Sequence, residues 1–459
     1  MNAELLSRIQ YGFHSGFHFI FPPLTIGLSL ALVIFEAIYL KTKKPEHEQM
    51  VKFWIRIFAV IFVLGVVTGF VQIFGFGTNW ARYSYFVGDV FGSALGAEGL
   101  FAFFLESGAL GILLFGWQRV RKSVHFIATI AIAVGTHFSG FWIIAANSWM
   151  QTPTGHRIVS ADAGPRAEVT DFWTMLLNYS TIPRFLHVTF ACWLTGAFFL
   201  ISVAAYYYLK KKHLQFSKMT MRVGITIAVA AILLQGWAGD MSAKVIVKHQ
   251  PAKLAAVEGV FKTKDYTPAY LFGSVDMEKQ KVNYGIKIPG LLSFLSHGNP
   301  KTAVTGLDQI PRSEWPNVAA VFQTYHLMLS MYAWMFFIIV CAVVYLIRRK
   351  LHRTRWILWA MVFTVLAPQM ANLAGWMTTE MGRQPWLVYG VLKTTDGLSD
   401  TVREAPGQVV GSLIMFTIIF AFLFVMFIYM LNHKIQHGPE DVPELEGAAE
   451  RAAFLKRKK

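Results

Sequence analysis

Residues 184–208 read RFLHVTFACWLTGAFFLISVAAYYY, and Lys210, Lys211 and Lys212 follow almost at once. A helix rises 1.5 Å per residue, so about 20 apolar residues cross the roughly 30 Å of hydrocarbon in a bilayer. In lipid every backbone N–H and C=O must find its partner inside the chain, and an unbroken apolar run of this length manages that only as a helix. It is too long and too uniformly apolar for a barrel strand. An arginine and a histidine mark one end, and a lysine cluster lies just past the other.

Eight more runs of this kind occur, at 13–40, 53–77, 93–117, 124–149, 220–240, 321–347, 355–377 and 408–432. The sequence therefore predicts an all-α, polytopic membrane helix bundle with nine transmembrane helices. Composition agrees: of 459 residues, 55% are hydrophobic and 15% charged, whereas soluble domains carry about a quarter charged residues. The net charge of +16 does not point to nucleic acid. The basic residues come in short clusters between apolar runs (Lys41, Lys43 and Lys44; Arg119, Arg121 and Lys122; Lys210 to Lys212; Arg348, Arg349 and Lys350), which is the charge pattern of membrane topology rather than a phosphate-binding surface. Cys192 and Cys341 fall inside apolar runs without metal-ligand spacing, so they read as small core hydrophobes. The N-terminus lacks the pattern of a removable signal peptide.

Lys and Arg crowd the connections after the first, third, fifth and seventh runs and the C-terminal tail. The positive-inside rule then puts the N-terminus outside and the C-terminus in the cytoplasm. The chain divides into residues 1–240 with spans one to six, an external loop 241–320, residues 321–432 with spans seven to nine, and a cytoplasmic tail 433–459. The end of that tail, Leu455 to Lys459, is expected to be disordered.

Ionisable or ligand-type side chains inside a span are costly and are functional candidates by default. They are His14, His18, Glu98, Glu106, His137, Arg184, His187, Asp240, His326, Met328 and Glu380. With the predicted sidedness, His18, Glu98, Glu106, His187, Met328 and Glu380 all fall in the outer half of the membrane. That points to buried cofactors or an ion path near the outer face. Imidazole at His187 with thioether at Met328 is a pairing that holds a six-coordinate, low-spin haem, and Arg184, one turn from His187, could neutralise a propionate. Each has a plainer reading. A lone membrane histidine is usually a packing residue, methionine is a common gap-filler, and Glu380 with Arg383 reads equally well as an interfacial salt bridge. Glu98 and Glu106, about 12 Å apart on an α-helix and not stacked, suit a proton relay or structural carboxyls. Trp376 and Trp386 fit the aromatic belt of a bilayer surface. A proton-coupled transporter would use the same residues, and a membrane cytochrome that only passes electrons is a third reading.

Several strings resemble one family, subunit I of the cytochrome bd-type quinol oxidases. They are Leu6-Ser7-Arg8-Ile9-Gln10 through His18-Phe19; Glu98-Gly99-Leu100 with Phe104-Leu105-Glu106-Ser107; Ala146-Asn147-Ser148-Trp149-Met150-Gln151; Lys253-Leu254-Ala255-Ala256-Val257-Glu258; and Glu380 with Gly382-Arg383-Gln384-Pro385-Trp386. The resemblance implies axial ligation of a high-spin haem by His18, of the low-spin haem b by His187 and Met328, and of the second high-spin haem by Glu380. It implies further cofactor contacts at Arg8, Arg184, Trp376 and Arg383, proton delivery by Glu98 and Glu106, and quinol oxidation at Lys253 and Glu258. The expected cofactors are low-spin haem b, high-spin haem b, and haem d or a third haem b, with quinol and O2 as substrates. The expected partners are a subunit II, in some members a small single-span subunit, and the lipid of a bacterial or archaeal cytoplasmic membrane. The external loop is short, as in cyanide-insensitive members; His326 stands where some members carry arginine, and His14 has no family role.

Overall fold

The computed structural model describes residues 2–161 and 164–439. Among them nine helices are long and apolar enough to cross a membrane: Ala3–Thr42, Pro45–Thr78, Gly88–Phe115, Lys122–Gln151, Thr181–Lys210, Leu214–His249, Val318–Ile347, Arg355–Met381 and Pro406–His437. These are spans one to nine. Each is longer than its apolar stretch, because a helix continues past the hydrocarbon until a stop signal ends it, although span three stops at Phe115, two residues short of the expected end. Span six goes furthest, so the start of the expected external loop is helical. Span nine consumes the first residues of the expected tail, and the remainder from 440, including Leu455 to Lys459, lies outside the described residues.

Two spans are broken, and proline explains both. Span one is a helix Ala3–His18 followed by a helix Phe21–Thr42. Pro22 and Pro23 have no N–H to give the preceding turn, so the second piece restarts with them in its first turn. Span eight is Arg355–Phe363 followed by Leu366–Met381, with Pro368 early in the second piece. Backbone freed at a break must find new partners in lipid. The Ser202 hydroxyl donates to the Val362 carbonyl at 3.0 Å, and Gln369 Nε2 donates to the Ile20 carbonyl at 3.0 Å. The second bond brings the two breaks together. Span three carries a π-helical turn, Glu98–Phe103, between helices Gly88–Ala97 and Phe104–Phe115. The breaks in spans one and eight do not occupy corresponding places in two halves, so they do not form a transporter-like repeat.

Spans one and five cross at two facing glycines. A Cβ on Gly196 would lie 2.5 Å from the Gly27 carbonyl carbon, and one on Gly27 would lie 2.7 Å from Gly196 N. Small residues let backbones approach this closely where no hydrophobic drive exists between helices. The main apolar core runs through Phe35, Trp54, Phe58, Phe198, Tyr207 and Met335. Cys192 is buried, Cys341 half-buried, and both are free thiols. Spans three, seven and nine present bare apolar flanks, among them Phe104, Ile347, Ile418 and Phe422, as a chain solvated by lipid does.

The loop between spans six and seven is folded. Helix Pro251–Glu258 ends at Gly259, whose φ of +64° favours glycine and where an added Cβ would come within 2.6 Å of Val282 Cγ2. The strand pairs Ala269–Tyr270 with Lys287–Ile288 and Ser274–Asp276 with Lys281–Asn283 follow, then helix Leu291–His297. This unit has its own core of Leu254, Val257, Phe261, Leu292 and Val321.

Candidate functional site

Four elements that are distant in sequence meet under the loop. Glu380, at the end of span eight, accepts from Asn147 Nδ2 at 3.0 Å and from Arg383 Nη2 at 2.5 Å. Asn147, at the end of span four, accepts from Arg184 Nη2 at 2.5 Å, and Arg184 Nη1 donates to Ser148 at 3.0 Å. Lys253, from the loop helix, donates to Gln151 Oε1 at 2.5 Å and Gln250 Oε1 at 2.6 Å, and its stem lies over Gly382. Lys253 and Arg383 are each 3% exposed. Burial, with Arg184 and Arg383 nearby, holds the Lys253 amine well below the ordinary lysine range.

The charge in this cluster does not balance: two guanidiniums, Arg184 and Arg383, surround the single carboxylate of Glu380, with the Lys253 amine beside them. Arg383 Nη1 is buried without a partner. A guanidinium N–H left unanswered in a buried site is costly. The donors fit carboxylates brought by a bound group.

His18, the last residue of the first helix, lies with Nδ1 3.0 Å from Thr68 Oγ1 of span two. The Thr68 hydroxyl has carbonyl acceptors at Leu64, 2.8 Å away, and Gly65, 3.2 Å away; donating to either, it accepts from His18 Nδ1–H. That fixes the tautomer and leaves the Nε2 lone pair for a metal. Gly69 stands beside the ring, 3.2 Å from Cε1 for an added Cβ.

His187 on span five faces span six, where Gln235 Nε2 lies 3.2 Å from Nδ1 and Gly239 flanks the ring. Met328 on span seven faces Gly375 of span eight, where a Cβ would come within 2.8 Å of Sδ. Tyr332, one turn from Met328, donates to the Ile232 carbonyl of span six at 2.9 Å. Both residues thus belong to the group of spans five to eight. Bare glycine backbone beside His18, His187 and Met328 is the lining a flat ring system needs, and the donor set is one imidazole, thioether or carboxylate at a time. Among the described residues no three His, Cys, Asp or Glu side chains gather as they would for a bare metal ion. These residues fit porphyrin iron.

The Ser139 hydroxyl donates to Glu98 Oε1 at 2.6 Å, while Glu106 is buried within electrostatic reach of Glu98. The π turn between them takes more residues per turn than an α-helix. It subtracts from the angular offset that eight residues of α-helix would put between the two positions. Glu258, buried at the far end of the loop helix, faces the Tyr325 hydroxyl, and burial pushes its carboxyl up to about 7.

Other candidates are otherwise engaged. Arg8 pairs with Glu4 at 3.5 Å and is partly exposed. Asp240 pairs with Lys244 at 2.6 Å on the exposed end of span six. His137 has both nitrogens in use, toward the Ala133 carbonyl and Trp193 Nε1. His14 sits edge-on to Phe416 of span nine at 4.5 Å, with Nε2 unpartnered. His326 bridges two segments, with Nδ1 2.8 Å from the Phe322 carbonyl and Nε2 2.9 Å from the Tyr270 carbonyl of the loop. Trp376 is half-buried beside Gly375.

Residues 6–439 match the family model for cytochrome bd terminal oxidase subunit I. The chain belongs to that family. It is 36% identical over 425 residues to the cytochrome bd ubiquinol oxidase subunit 1 of Bacillus subtilis (strain 168), covering 90% of this chain and 88% of the relative. It is 32% identical over 476 residues to the cytochrome bd-II ubiquinol oxidase subunit 1 of Escherichia coli (strain K12), covering 89% and 92%. The bd oxidase structure from Geobacillus thermodenitrificans superposes with a TM-score of 0.86 at 28% identity over 95% of this chain and 99% of that one. This bd-type subunit is therefore a multi-pass membrane component of a respiratory terminal oxidase, and the transporter reading falls.

Sequence reasoning passed over the polar partners of the candidate residues: Thr68 beside His18, Gln235 beside His187 and Ser139 beside Glu98. It also passed over Glu36 and His125, which are ionisable and sit inside predicted spans. Their own position was the available signal.

Proposed function

We propose that this chain is the haem-bearing subunit of a quinol:oxygen oxidoreductase, oxidising membrane quinol beneath its 241–320 loop and reducing O2 to water. The observation that carries the reading is the burial of Lys253, from the loop, in the same polar cluster as Glu380, from the span that also lines Met328. Substrate-loop and ligand residues share one site. His187 and Met328 would hold a low-spin haem b; His18 and Glu380 would hold two high-spin haems, one a haem b and the other a haem d or a third haem b. When bound, the haems supply electron relay and the open iron position at which oxygen is reduced.

The chain's own residues do the rest. Arg184 and Arg383 offer donors to propionates; Trp376 stands beside Gly375 at the same ligand region. Glu258, poised near neutrality and hydrogen-bonded to Tyr325, accepts a quinol proton, and Lys253 positions the quinone oxygen while the cations around it discourage its protonation. Glu106 and Glu98, joined by the π turn, pass protons to the oxygen site. With the N-terminus and the loop outside and the basic face in the cytoplasm, quinol protons leave outside and protons for water come from inside. The reaction is then electrogenic without a pump. A subunit II would complete the assembly in the cytoplasmic membrane.

The test is the purified complex. Pyridine-haemochrome and CO-difference spectra are expected to give three haems, with a high-spin component that shifts under CO. Lys253→Met and Glu258→Gln are expected to lower quinol oxidation about 10²-fold or more with the haem spectra intact. Wild-type quinol kinetics in both variants would overturn the quinol assignment.

A further inference from the structure

Toward the basic face, away from the loop, three spans meet at a polar cluster that the oxidase reading does not use. Glu36 of span one and His125 and Thr129 of span four are each at most 2% exposed. His125 Nδ1 lies 2.7 Å from Glu36 Oε1, and Nε2 lies 3.1 Å from the Leu113 carbonyl of span three. The Thr129 hydroxyl lies 2.5 Å from Glu36 Oε2 and 3.2 Å from the His125 carbonyl.

A carbonyl only accepts, so His125 keeps a proton on Nε2. One further proton is shared across the 2.7 Å contact, as imidazolium with carboxylate or imidazole with carboxylic acid. The cluster is neutral in either form, with Thr129 donating to Glu36. It also has a place for one proton more. If the Thr129 hydroxyl turns to the His125 carbonyl, its oxygen accepts from a protonated Glu36 Oε2, while His125 donates through both nitrogens. Each polar side-chain atom has a partner in both occupancies, and the change between them is one hydroxyl rotation.

The surroundings give the cluster two ends. Toward the basic face, the ring of Trp117 meets His125 edge-on at 4.7 Å, and Trp117 Nε1 donates to Glu48 at 2.7 Å. Glu48, half-exposed, also accepts from the Tyr39 hydroxyl at 3.2 Å and pairs with Lys52 at 2.8 Å, while Lys122 lies over Trp117 at 3.7 Å. In the other direction, Leu113 stands two turns from Glu106 on the same face of span three, about 10.5 Å away. Span four continues the polar line with Thr136, 3.1 Å from Ser29, and with Ser139 on Glu98.

We infer that Glu36, His125 and Thr129 form a proton-loading site that feeds Glu106 from the basic face. The inference rests on the proposed role of Glu106 and Glu98 as proton donors to the oxygen site. In each cycle one proton from Glu48 adds to Glu36 Oε2 and one leaves toward Glu106; no electron moves within the cluster, and its charge returns to zero.

The test uses the whole complex in liposomes with quinol as reductant. Glu36→Gln is expected to retain its haems and their reduction by quinol. Oxygen consumption and proton uptake from the medium at the basic face should fall together by about tenfold or more, with a larger solvent deuterium isotope effect. Glu36→Asp should restore part of the rate. Thr129→Val, which keeps the Glu36–His125 contact and removes the hydroxyl that donates to Glu36 in one occupancy and accepts the extra proton in the other, should slow turnover several-fold. Full haem content with wild-type uptake in Glu36→Gln would overturn the site. If Glu36→Gln lost its haems, unchanged turnover in haem-replete Thr129→Val would overturn it instead. A wild-type complex without haem would sink the oxidase reading itself, a different result.

Discussion

Replacing Thr68 by valine tests the ligand geometry at its most specific point. The exchange preserves shape and removes only the oxygen that accepts from His18 Nδ1 at 3.0 Å. Thr68 is fully buried, so no water can take its place without repacking. An abandoned buried donor costs about 1–3 kcal/mol, and loss of the partner that orients a metal-bound histidine typically weakens metal affinity about 10–100-fold. The two figures agree, since about 1.4 kcal/mol is a factor of ten. The variant is therefore expected to lose one high-spin haem about 10–100 times more readily than wild type, with the low-spin bands unchanged. Pyridine-haemochrome stoichiometry during exposure to a haem scavenger measures this. Thr68→Ser, which keeps the hydroxyl, is expected to behave as wild type. Wild-type retention in Thr68→Val would refute the argument, and so would equal loss in valine and serine variants, which would make the methyl group the important part.

Three further outcomes follow from distances and charges. Glu258 titrates at about 7 rather than 4.5, and only its ionised form accepts a proton, so the kcat/KM for quinol should rise with pH through about 7 and flatten above; between those two values the native state holds the proton more tightly than the unfolded chain, so stability should fall as pH rises across that window, as thermal melts in detergent would show. Asn147→Leu strips one partner each from Glu380 and Arg184, and spectra should show the high-spin signal lost or shifted while the low-spin bands persist. Gly27→Ala must push spans one and five apart until the Cys192 carbonyl and the Gly196 backbone stand at the ordinary 3.4 Å or more from the new Cβ, costing about 1–3 kcal/mol in melting experiments, whereas Gly16→Ala, whose nearest atom would be 3.9 Å away, should be close to neutral.

The architecture could be read almost entirely from apolar run length, because a bilayer leaves the backbone so few options. The candidate site residues were legible for a related reason: His187 or Glu380 stands out against an apolar background. Their polar partners were not. Thr68, Gln235 and Ser139 are uncharged, and only three-dimensional contact shows that they meet His18, His187 and Glu98. The π turn at Glu98 was equally hidden, since it alters rotation around the helix and leaves composition untouched. The proline breaks could have been anticipated at Pro22, Pro23 and Pro368, but not that they would adjoin.

That meeting of the breaks has a mechanical consequence. His18 and Glu380 both ride on 16-residue segments, Ala3–His18 and Leu366–Met381, each separated by a break from the rest of its span. The segments are stitched to one another where Gln369 holds the Ile20 carbonyl and where Gly16 abuts Leu373. Spacing between those two side chains is thus governed by a local splice rather than by the tilt of whole rods, so the bundle can breathe with bilayer thickness without dragging them apart.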